Sequence, residues 1–253
     1  MIKMIVTDLD RTLLHSDKSI SEYTAMILRQ CQERGIKVVF ATARPKRTVN
    51  HFLDSIPADA VILHNGAVIY IGDECYSNYG IESATARNLL LAINRDWPET
   101  TLSVEIDDVF YANFDVSTIW NNTQAIHTDF TDLPDKPADK IIVGVSSMSD
   151  IQRFSKYLPA HLYIEMNDGK LGLIMNRGAA KQNAVRILAD YYSFDMSETV
   201  AFGDDYNDLQ MLRDCGIGVA MENALDEVKA AADSVCDTND NDGVSKWLEE
   251  NVL

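Results

Sequence analysis

The sequence has few basic residues and few prolines, and each scarcity excludes a class of protein. Its 253 residues include 22 Lys and Arg against 39 Asp and Glu, which gives a formal net charge of −17. This acidic excess repels phosphate backbones and anionic lipid, and no basic patch offsets it, so we expect neither nucleic-acid nor membrane-surface binding. With only six prolines and 12 glycines, and with 46% hydrophobic residues, the composition excludes a disordered or fibrous chain.

Cysteine is also sparse, and its spacing carries no motif. Cys31, Cys75, Cys215 and Cys236 stand far apart without a C-x-x-C pair. The sequence therefore predicts neither a zinc site nor a redox motif, and free thiols favour a cytoplasmic location. We also expect no membrane span, because no apolar run approaches about 18 residues, and no secretory signal, because the first apolar stretch is too short.

The pattern at both ends of the chain predicts alternating strands and helices. Residues 2–7 form an apolar run that indicates a buried strand, and Ser19 and Glu22 have the spacing of a helix capping box. A second apolar run at 36–40 completes a βαβ unit, and the pattern returns after residue 176. The predicted fold is α/β: a doubly wound, mostly parallel, Rossmann-like core.

The middle of the chain has a different pattern, typical of an antiparallel α+β insertion. Residues 161–166 and 171–175 flank a turn at 167–170 with an Asp-Gly pair, a strong hairpin signal. We predict a discontinuous core domain of residues 1–80 and 176–253 and an inserted cap domain of residues 81–175. Such an insertion is expected to act as a specificity lid. The polar run 237–242 is expected to be a solvated loop.

Polar side chains collect at the predicted carboxyl ends of the core strands, where ligands bind in open α/β sheets. Several carboxylates in one crevice need a cation, and an all-oxygen ligand set suits Mg²⁺. A lysine, a hydroxyl and the backbone N–H groups of a helix start are suited to phosphate. The residues are Asp8, Asp10, Thr42, Lys181, Asp204, Asp205, Asn207 and Asp208.

Four stretches in this order resemble the motifs of the haloacid dehalogenase (HAD) superfamily, and more narrowly of its Cof-type phosphatases, subclass IIB. They are Asp8-Leu9-Asp10-Arg11-Thr12-Leu13-Leu14, Ala41-Thr42-Ala43-Arg44-Pro45, Lys181 in Arg177-Gly178-Ala179-Ala180-Lys181, and Gly203-Asp204-Asp205-Tyr206-Asn207-Asp208. Asn65-Gly66-Ala67, residues 218–224 and residues 238–244 also resemble phrases of that subclass. The resemblance extends from residue 1 to about residue 248 and says little about the insertion.

The resemblance implies a role for each matching residue. Asp8 would be the nucleophile that forms an aspartyl-phosphate, and Asp10 the general acid and base. Mg²⁺ would be held by Asp8, by the backbone carbonyl of Asp10 and by Asp204, with Asp208 as an alternative ligand or a residue behind the ligands. Phosphoryl oxygens would be bound by the remaining motif residues: Leu9, Thr42, Ala43, Lys181 and Asn207.

Two residues depart from the family pattern, which usually has Gly at both positions. Ala43 is compatible with the pattern if its φ is negative. Arg11 follows the proposed general acid, and we expect its side chain to turn to solvent or to the insertion.

The resemblance thus implies a Mg²⁺-dependent phosphatase acting on a small phosphorylated metabolite such as a sugar phosphate, a nucleotide or a phosphorylated cofactor. A phosphomutase and a catalytically weak phosphometabolite-binding protein are the alternatives. We expect a monomer or a small homo-oligomer.

Overall fold

The structure is a computed structural model that describes residues 1–53, 56, 58–120, 123–167 and 169–253. It divides into two compact units. The first, called the core unit here, comprises Met1–Ser77 and Ala180–Leu253, and the second, called the inserted unit, comprises Asn78–Ala179.

Secondary structure covers both units. Within the described residues the strands are β1 (Met4–Thr7), β2 (Lys37–Ala41), β3 (Ala60–Leu63), β4 (Val68–Ile71), β5 (Glu74–Asn78), β6 (Leu102–Ile106), β7 (Val109–Ala112), β8 (Ile126–His127), β9 (Lys140–Gly144), β10 (Leu162–Asn167), β11 (Leu171–Asn176), β12 (Thr199–Gly203), β13 (Ile217–Met221) and β14 (Ser234–Cys236). The α-helices are α1 (Glu22–Glu33), α2 (Asn50–Leu53), α3 (Ser83–Asp96), α4 (Met148–Ser155), α5 (Lys181–Tyr192), α6 (Leu209–Asp214), α7 (Asp226–Lys229) and α8 (Gly243–Asn251).

The core unit is built on one sheet with the strand order β14-β13-β12-β1-β2-β3-β4-β5. The pairs from β14 to β3 are parallel, and β4 runs antiparallel to β3. β1 and β12 are buried along their whole length, as expected for parallel strands covered on both faces. The chain moves outward from β1 in both directions, which confirms the predicted doubly wound α/β core.

The inserted unit has its own sheet, with the order β10-β11-β9-β6-β7-β8. Its pairs are antiparallel except for β7 with β8. Buried side chains of α3 and α4, including Leu90 and Phe154, form one hydrophobic core with strand residues such as Val104 and Ile141. This is the α+β arrangement that the sequence pattern indicates.

Three local predictions are corrected by the structure. The N-cap of α1 is Ser21, whose hydroxyl accepts a hydrogen bond from Thr24 N at 3.0 Å, so the predicted capping box at Ser19 is wrong. The helix start that is expected from the sequence to offer N–H groups to phosphate is only a 3-10 helix, Lys46–Thr48, preceded by Pro45. The predicted solvated loop at 237–242 contains a 3-10 helix, Asn239–Asn241, whose first residue is buried.

The predicted hairpin in the inserted unit is confirmed by the pairing of β10 with β11, in register from Leu162 with Asn176 to Asn167 with Leu171. Asp168 of its turn lies outside the described residues. No helix in the described part of the chain is both long enough and apolar enough to cross a bilayer.

Candidate active site

The reversal of strand order between β1 and β12 brings two aspartates to the same edge of the core sheet. Thr7 is in register with Phe202, and the N–H of Asp8 donates to Phe202 O at 3.0 Å. Asp8 directly follows β1, and Asp204 directly follows β12. Both are buried, at 6% and 3% exposure. The sheet topology therefore brings together two aspartates that are 196 positions apart in the sequence, and they form one acidic site.

Lys181 is the first residue of α5 and reaches the same place. Its Nζ donates to Asp8 Oδ1 at 2.6 Å and to Asp208 Oδ1 at 2.7 Å, and its side chain is fully buried. The helix start is packed tightly, because a Cβ on Gly66 would lie 2.4 Å from the carbonyl oxygen of Ala180. Glycine at position 66, with φ +106, is what allows α5 to begin this close to the site.

Asp208 holds the end of β12 and the lysine together. Its Oδ2 accepts from the backbone N–H groups of Asp204 and Asp205 at 3.0 and 3.2 Å, while Oδ1 accepts from Lys181. A Cβ on Gly203 would lie 2.4 Å from Asp208 Cβ, so a glycine is required there. Because both oxygens of Asp208 already accept hydrogen bonds, the geometry favours a positioning role over direct metal ligation.

The site concentrates negative charge. One oxygen from each of Asp8, Asp204 and Asp208 lies within 4.8 Å of the others. Burial, opposed by Lys181, raises the pKa of Asp8 to about 7, and burial together with the charge of Asp208 raises the pKa of Asp204 to about 6. Burial alone would lower the pKa of Lys181, but the two carboxylates raise it above its ordinary value. An all-oxygen set of this kind fits Mg²⁺.

Asp10 has different neighbours from Asp8. Arg44 Nε and Nη2 donate to its two oxygens at 2.6 and 2.7 Å, and Lys18 Nζ donates to Oδ1 at 2.7 Å. Burial would raise the pKa of Asp10, but the hydrogen bonds from Arg44 and Lys18 outweigh it and lower the pKa to about 2. In this arrangement Asp10 is an anion held by two cations.

The predicted phosphate-binding residues lie at the ends of core-unit strands and in neighbouring turns. Leu9 and Thr42 are buried, and Thr42 N donates to Ile62 O at 2.8 Å. Ala43 is exposed and does not have a positive φ, so it satisfies the condition set for replacing glycine. Asn207 is exposed, and its Nδ2 donates to Asn65 Oδ1 at 2.9 Å.

The expectation that Arg11 turns to solvent or to the insertion describes its side chain only in part. Its side chain is 59% exposed, but Nη2 donates to Asn223 O at 3.0 Å and Nε lies 3.6 Å from Asp204 Oδ2. Its backbone has φ +61, the left-handed region in which glycine costs least. This conformation explains physically why glycine is usual at that position, and the contacts show how an arginine is accommodated.

Sequence reasoning missed several side chains that shape the site. Thr12 Oγ1 donates to Asp204 Oδ1 at 3.1 Å, and Lys18 binds Asp10 from a turn with φ +68 at the lysine. Asn223 Nδ2 donates to Arg11 O at 2.8 Å. Thr12 and Asn223 lie inside the recognised motifs and could have been singled out there, whereas no local signal distinguishes Lys18 from an ordinary surface lysine.

The chain is similar to several proteins of known family or structure. A family model described as haloacid dehalogenase-like hydrolase matches residues 5–248. The chain is 28% identical to the 5-amino-6-(5-phospho-D-ribitylamino)uracil phosphatase YitU of Bacillus subtilis, over 98% of this chain and 96% of the relative. BT1666 of Bacteroides thetaiotaomicron, studied among the phosphatases of the HAD superfamily, has a TM-score of 0.86 at 27% identity, covering 99% of this chain and 95% of the other.

A further solved structure, the subclass IIB sugar phosphatase BT4131, has a TM-score of 0.81 at 24% identity over 98% of each chain and shares the fold. The chain belongs to the haloacid dehalogenase-like hydrolase family. Its relatives and the neighbour BT1666 identify it as a HAD-type phosphatase of the Cof type, and the resemblance of its motifs to the HAD superfamily is confirmed.

Proposed function

We propose that the protein is a Mg²⁺-dependent phosphatase that hydrolyses a small phosphorylated metabolite through an aspartyl-phosphate. The observation that carries this proposal is the buried cluster of Asp8, Asp204 and Asp208, in which Asp8 and Asp208 bind Lys181. When ionised, the three carboxylates with the buried ammonium leave a formal charge of two negative, which the 59% exposed Arg11, 3.6 Å from Asp204, offsets only in part. A divalent cation balances that charge, and a phosphate ester supplies the anion that a cation and a lysine can bind together.

The metal would be held by Asp8, Asp204 and the backbone carbonyl of Asp10. When bound, Mg²⁺ neutralises these carboxylates and stabilises negative charge on the phosphoryl oxygens. Asp208 keeps Lys181 and the loop after β12 in place. The ammonium of Lys181 has three N–H donors, and since Asp8 and Asp208 take two, a third is suited to a phosphoryl oxygen. Thr42, Asn207 and the N–H groups of Leu9 and Ala43 would complete the phosphate site.

Asp8 is suited to be the nucleophile. Lys181 binds its Oδ1, so Oδ2 can attack phosphorus in line with the leaving oxygen. The new Oδ2–P bond forms as the bond from phosphorus to the leaving oxygen breaks. Water then attacks the phosphorus of the aspartyl-phosphate, the Oδ2–P bond breaks, and inorganic phosphate and the Asp8 carboxylate are released.

Asp10 would donate a proton to the leaving oxygen in the first step and take one from the attacking water in the second. A carboxylate held by Arg44 and Lys18 carries no proton at neutral pH. The role therefore requires Asp10 to leave these partners when substrate binds. Its place two residues after the nucleophile keeps it within reach of the leaving group.

We propose that the inserted unit, residues 78–179, has the role of a cap domain that selects the substrate. YitU is named for a phosphorylated ribitylaminouracil and BT4131 for sugar phosphates, which favours a small phosphorylated metabolite as the substrate here. The four cysteines form no disulfide within the described residues, in keeping with the cytoplasmic location we propose.

The test is phosphate release from a panel of sugar phosphates, nucleotides and phosphorylated cofactors, with Mg²⁺ and with a chelator. We expect Mg²⁺-dependent release that is lost by at least about 10³-fold in Asp8→Asn. Asp17→Asn, an exposed aspartate in a neighbouring turn, is the matched control and keeps wild-type activity. Phosphate transfer without net release would identify a phosphomutase, and Mg²⁺-independent binding without turnover would identify a binding protein.

A further inference from the structure

The segment at 239–242 is bonded to the loop that follows Asp10. We call residues 11–16 the acid loop, because they carry the chain onward from the proposed general acid. Asn239 Nδ2 donates to Leu14 O at 2.9 Å, and Asp240 accepts from both the N–H and the hydroxyl of Ser16 at 2.7 Å. These contacts join parts of the chain more than 220 residues apart.

Asp242 adds a further attachment. Its Oδ1 lies 2.9 Å from His15 Nε2 and also accepts from Ser21 Oγ at 2.6 Å and Thr24 Oγ1 at 3.0 Å. One carboxylate therefore connects the acid loop with the first turn of α1. Asn239, Asp240 and Asp242, called the C-terminal clamp here, hold three successive residues of the acid loop.

Asn223 extends this attachment back to the residue after Asp10. Its Oδ1 accepts from the N–H of Asn239 at 3.0 Å, and its Nδ2 donates to Arg11 O at 2.8 Å. Arg11 has φ +61, a conformation that persists in a non-glycine residue when neighbouring groups fix it. Through Asn223, the clamp therefore also fixes the backbone of Arg11, the residue that follows the proposed general acid.

The acid loop also connects to the buried cluster. Leu13 N donates to Asp8 O at 3.3 Å, Leu14 N donates to Leu9 O at 2.8 Å, and Thr12 Oγ1 donates to Asp204. The acid loop is therefore held by hydrogen bonds from residues 12–14 to the active-site segments and from residues 14–16 to the C-terminal clamp. Asn239 is only 5% exposed, so its loss would leave Leu14 O without a partner in a buried place.

We propose that Asn239, Asp240 and Asp242 are positioning residues for Asp10, holding the acid loop so that this carboxyl can meet the leaving oxygen. The proposal rests on the proposed function, since it assigns Asp10 the proton transfer. General acid catalysis depends on hydrogen-bond geometry, and a small displacement of the acid weakens it. We therefore expect loss of a clamp residue to lower activity most on substrates whose leaving oxygen must be protonated.

The experiment compares kcat/KM for an alkyl phosphate, whose leaving oxygen needs a proton, with kcat/KM for p-nitrophenyl phosphate, whose leaving group departs as an anion. For each substrate, kcat/KM reports the steps up to transfer of the phosphoryl group to Asp8, and it does not include the later hydrolysis of the aspartyl-phosphate. For Asn239→Ala and Asp240→Ala we expect about a tenfold loss on the alkyl phosphate and less than about threefold on the aryl phosphate.

Two further variants separate positioning from folding. Asn241→Ala is the matched control, because Asn241 lies in the same 3-10 helix but donates to Asp237 Oδ1 at 3.2 Å instead of contacting the acid loop. Asn241→Ala should leave kcat/KM unchanged on both substrates. Asp240→Asn keeps an acceptor for Ser16, so it should retain most of the kcat/KM on the alkyl phosphate that Asp240→Ala loses. Melting temperatures are recorded so that all variants are assayed in the folded state.

Equal losses on the two substrates, or losses in Asn241→Ala as large as in Asn239→Ala, would overturn the positioning role. Failure of the proposed function has a different result. In that case the wild-type protein releases phosphate from neither ester, or Asp8→Asn releases as much as wild type.

Discussion

The two units bury carboxylates in contrasting ways. In the core unit, Asp8 and Asp208 bind the ammonium of Lys181, and an oxygen of Asp204 lies within 4.8 Å of both carboxylates. In the inserted unit, buried Glu105 pairs with Lys140 at 3.0 Å.

The neighbouring Asp139 of the inserted unit accepts from Asn78 Nδ2 at 3.2 Å. Burial, with the charge of Glu105, raises the pKa of Asp139 to about 7. The inserted unit therefore pairs one of these two buried carboxyls with a lysine, and the other, like Asp8, has a raised pKa that lets it stay protonated below about pH 7. When its three aspartates are ionised, the core cluster carries more negative charge than Lys181 and the partly exposed Arg11 balance, which is costly unless a ligand completes it. A buried imbalance of charge thus marks a binding site, and a buried balance is compatible with a structural role.

The largest expected difference in activity between the two units follows from replacing the buried lysine partner in each unit, Lys181 or Lys140, by methionine. Lys181→Met should lower kcat/KM by about 10³-fold and destabilise the fold by about 3–5 kcal/mol, because two buried carboxylates lose their partner. Lys140→Met should also destabilise the protein but keep activity within about threefold. The measurements are phosphate release and thermal unfolding, and similar activity losses in the two variants would contradict the comparison.

Metal dependence should separate the aspartates of the two units next. Asp204→Asn should raise the Mg²⁺ concentration for half-maximal activity by at least about tenfold, because a ligand oxygen loses its charge. Asp139→Asn should leave that concentration unchanged. Titrating activity with Mg²⁺ measures both, and an unchanged Mg²⁺ requirement in Asp204→Asn would remove this residue from the metal site.

The raised pKa values predict how pH affects the metal-free protein. Asp8 and Asp204 have folded pKa values of about 7 and 6, above their ordinary 3.8, so between about pH 4 and pH 7 the folded state binds more protons than the unfolded state. The free energy of unfolding therefore falls as pH rises through this window. Added Mg²⁺ should restore a few degrees of melting temperature at about pH 8 and little at about pH 5. Equal stabilisation at both pH values would contradict this.

The smallest expected effect belongs to Asp139. Its folded pKa of about 7 also lies above 3.8, so its ionisation lowers stability as pH rises through the same window. Asp139→Asn keeps this side chain neutral and should raise stability by about 1 kcal/mol, or about 2–4 °C in melting temperature, at about pH 8 but not at about pH 5. Thermal unfolding at the two pH values is the measurement, and a less stable variant at pH 8 would reverse our interpretation of the inserted unit.

The sequence could predict those features that depend on local pattern. The apolar run before Asp8 and the one before Asp204 each predict a strand, and the parallel-sheet rule places both aspartates at one edge. The turn in the inserted unit follows from its Asp-Gly pair. These predictions succeed because residues adjacent in the sequence determine them.

Pairing between distant side chains could not be predicted in this way. Nothing near Lys18 or Arg44 in the sequence indicates that both bind Asp10, because the contact depends on how two loops meet in space. The same applies to Asp240 and Ser16. The polar composition of 237–242 suggested a solvated loop, since composition does not reveal which hydrogen-bond acceptors face a distant backbone.

The central claim is that the unmatched charge of the core unit is completed by a divalent cation. Calorimetric titration of the metal-free wild-type protein with Mg²⁺ tests it most directly, with Asp204→Asn as the site variant and Asp139→Asn as the control. We predict saturable binding of one Mg²⁺ per chain in the wild type and in Asp139→Asn, and at least about tenfold weaker binding in Asp204→Asn. No saturable binding to the wild type, or equal binding in Asp204→Asn, would contradict the claim.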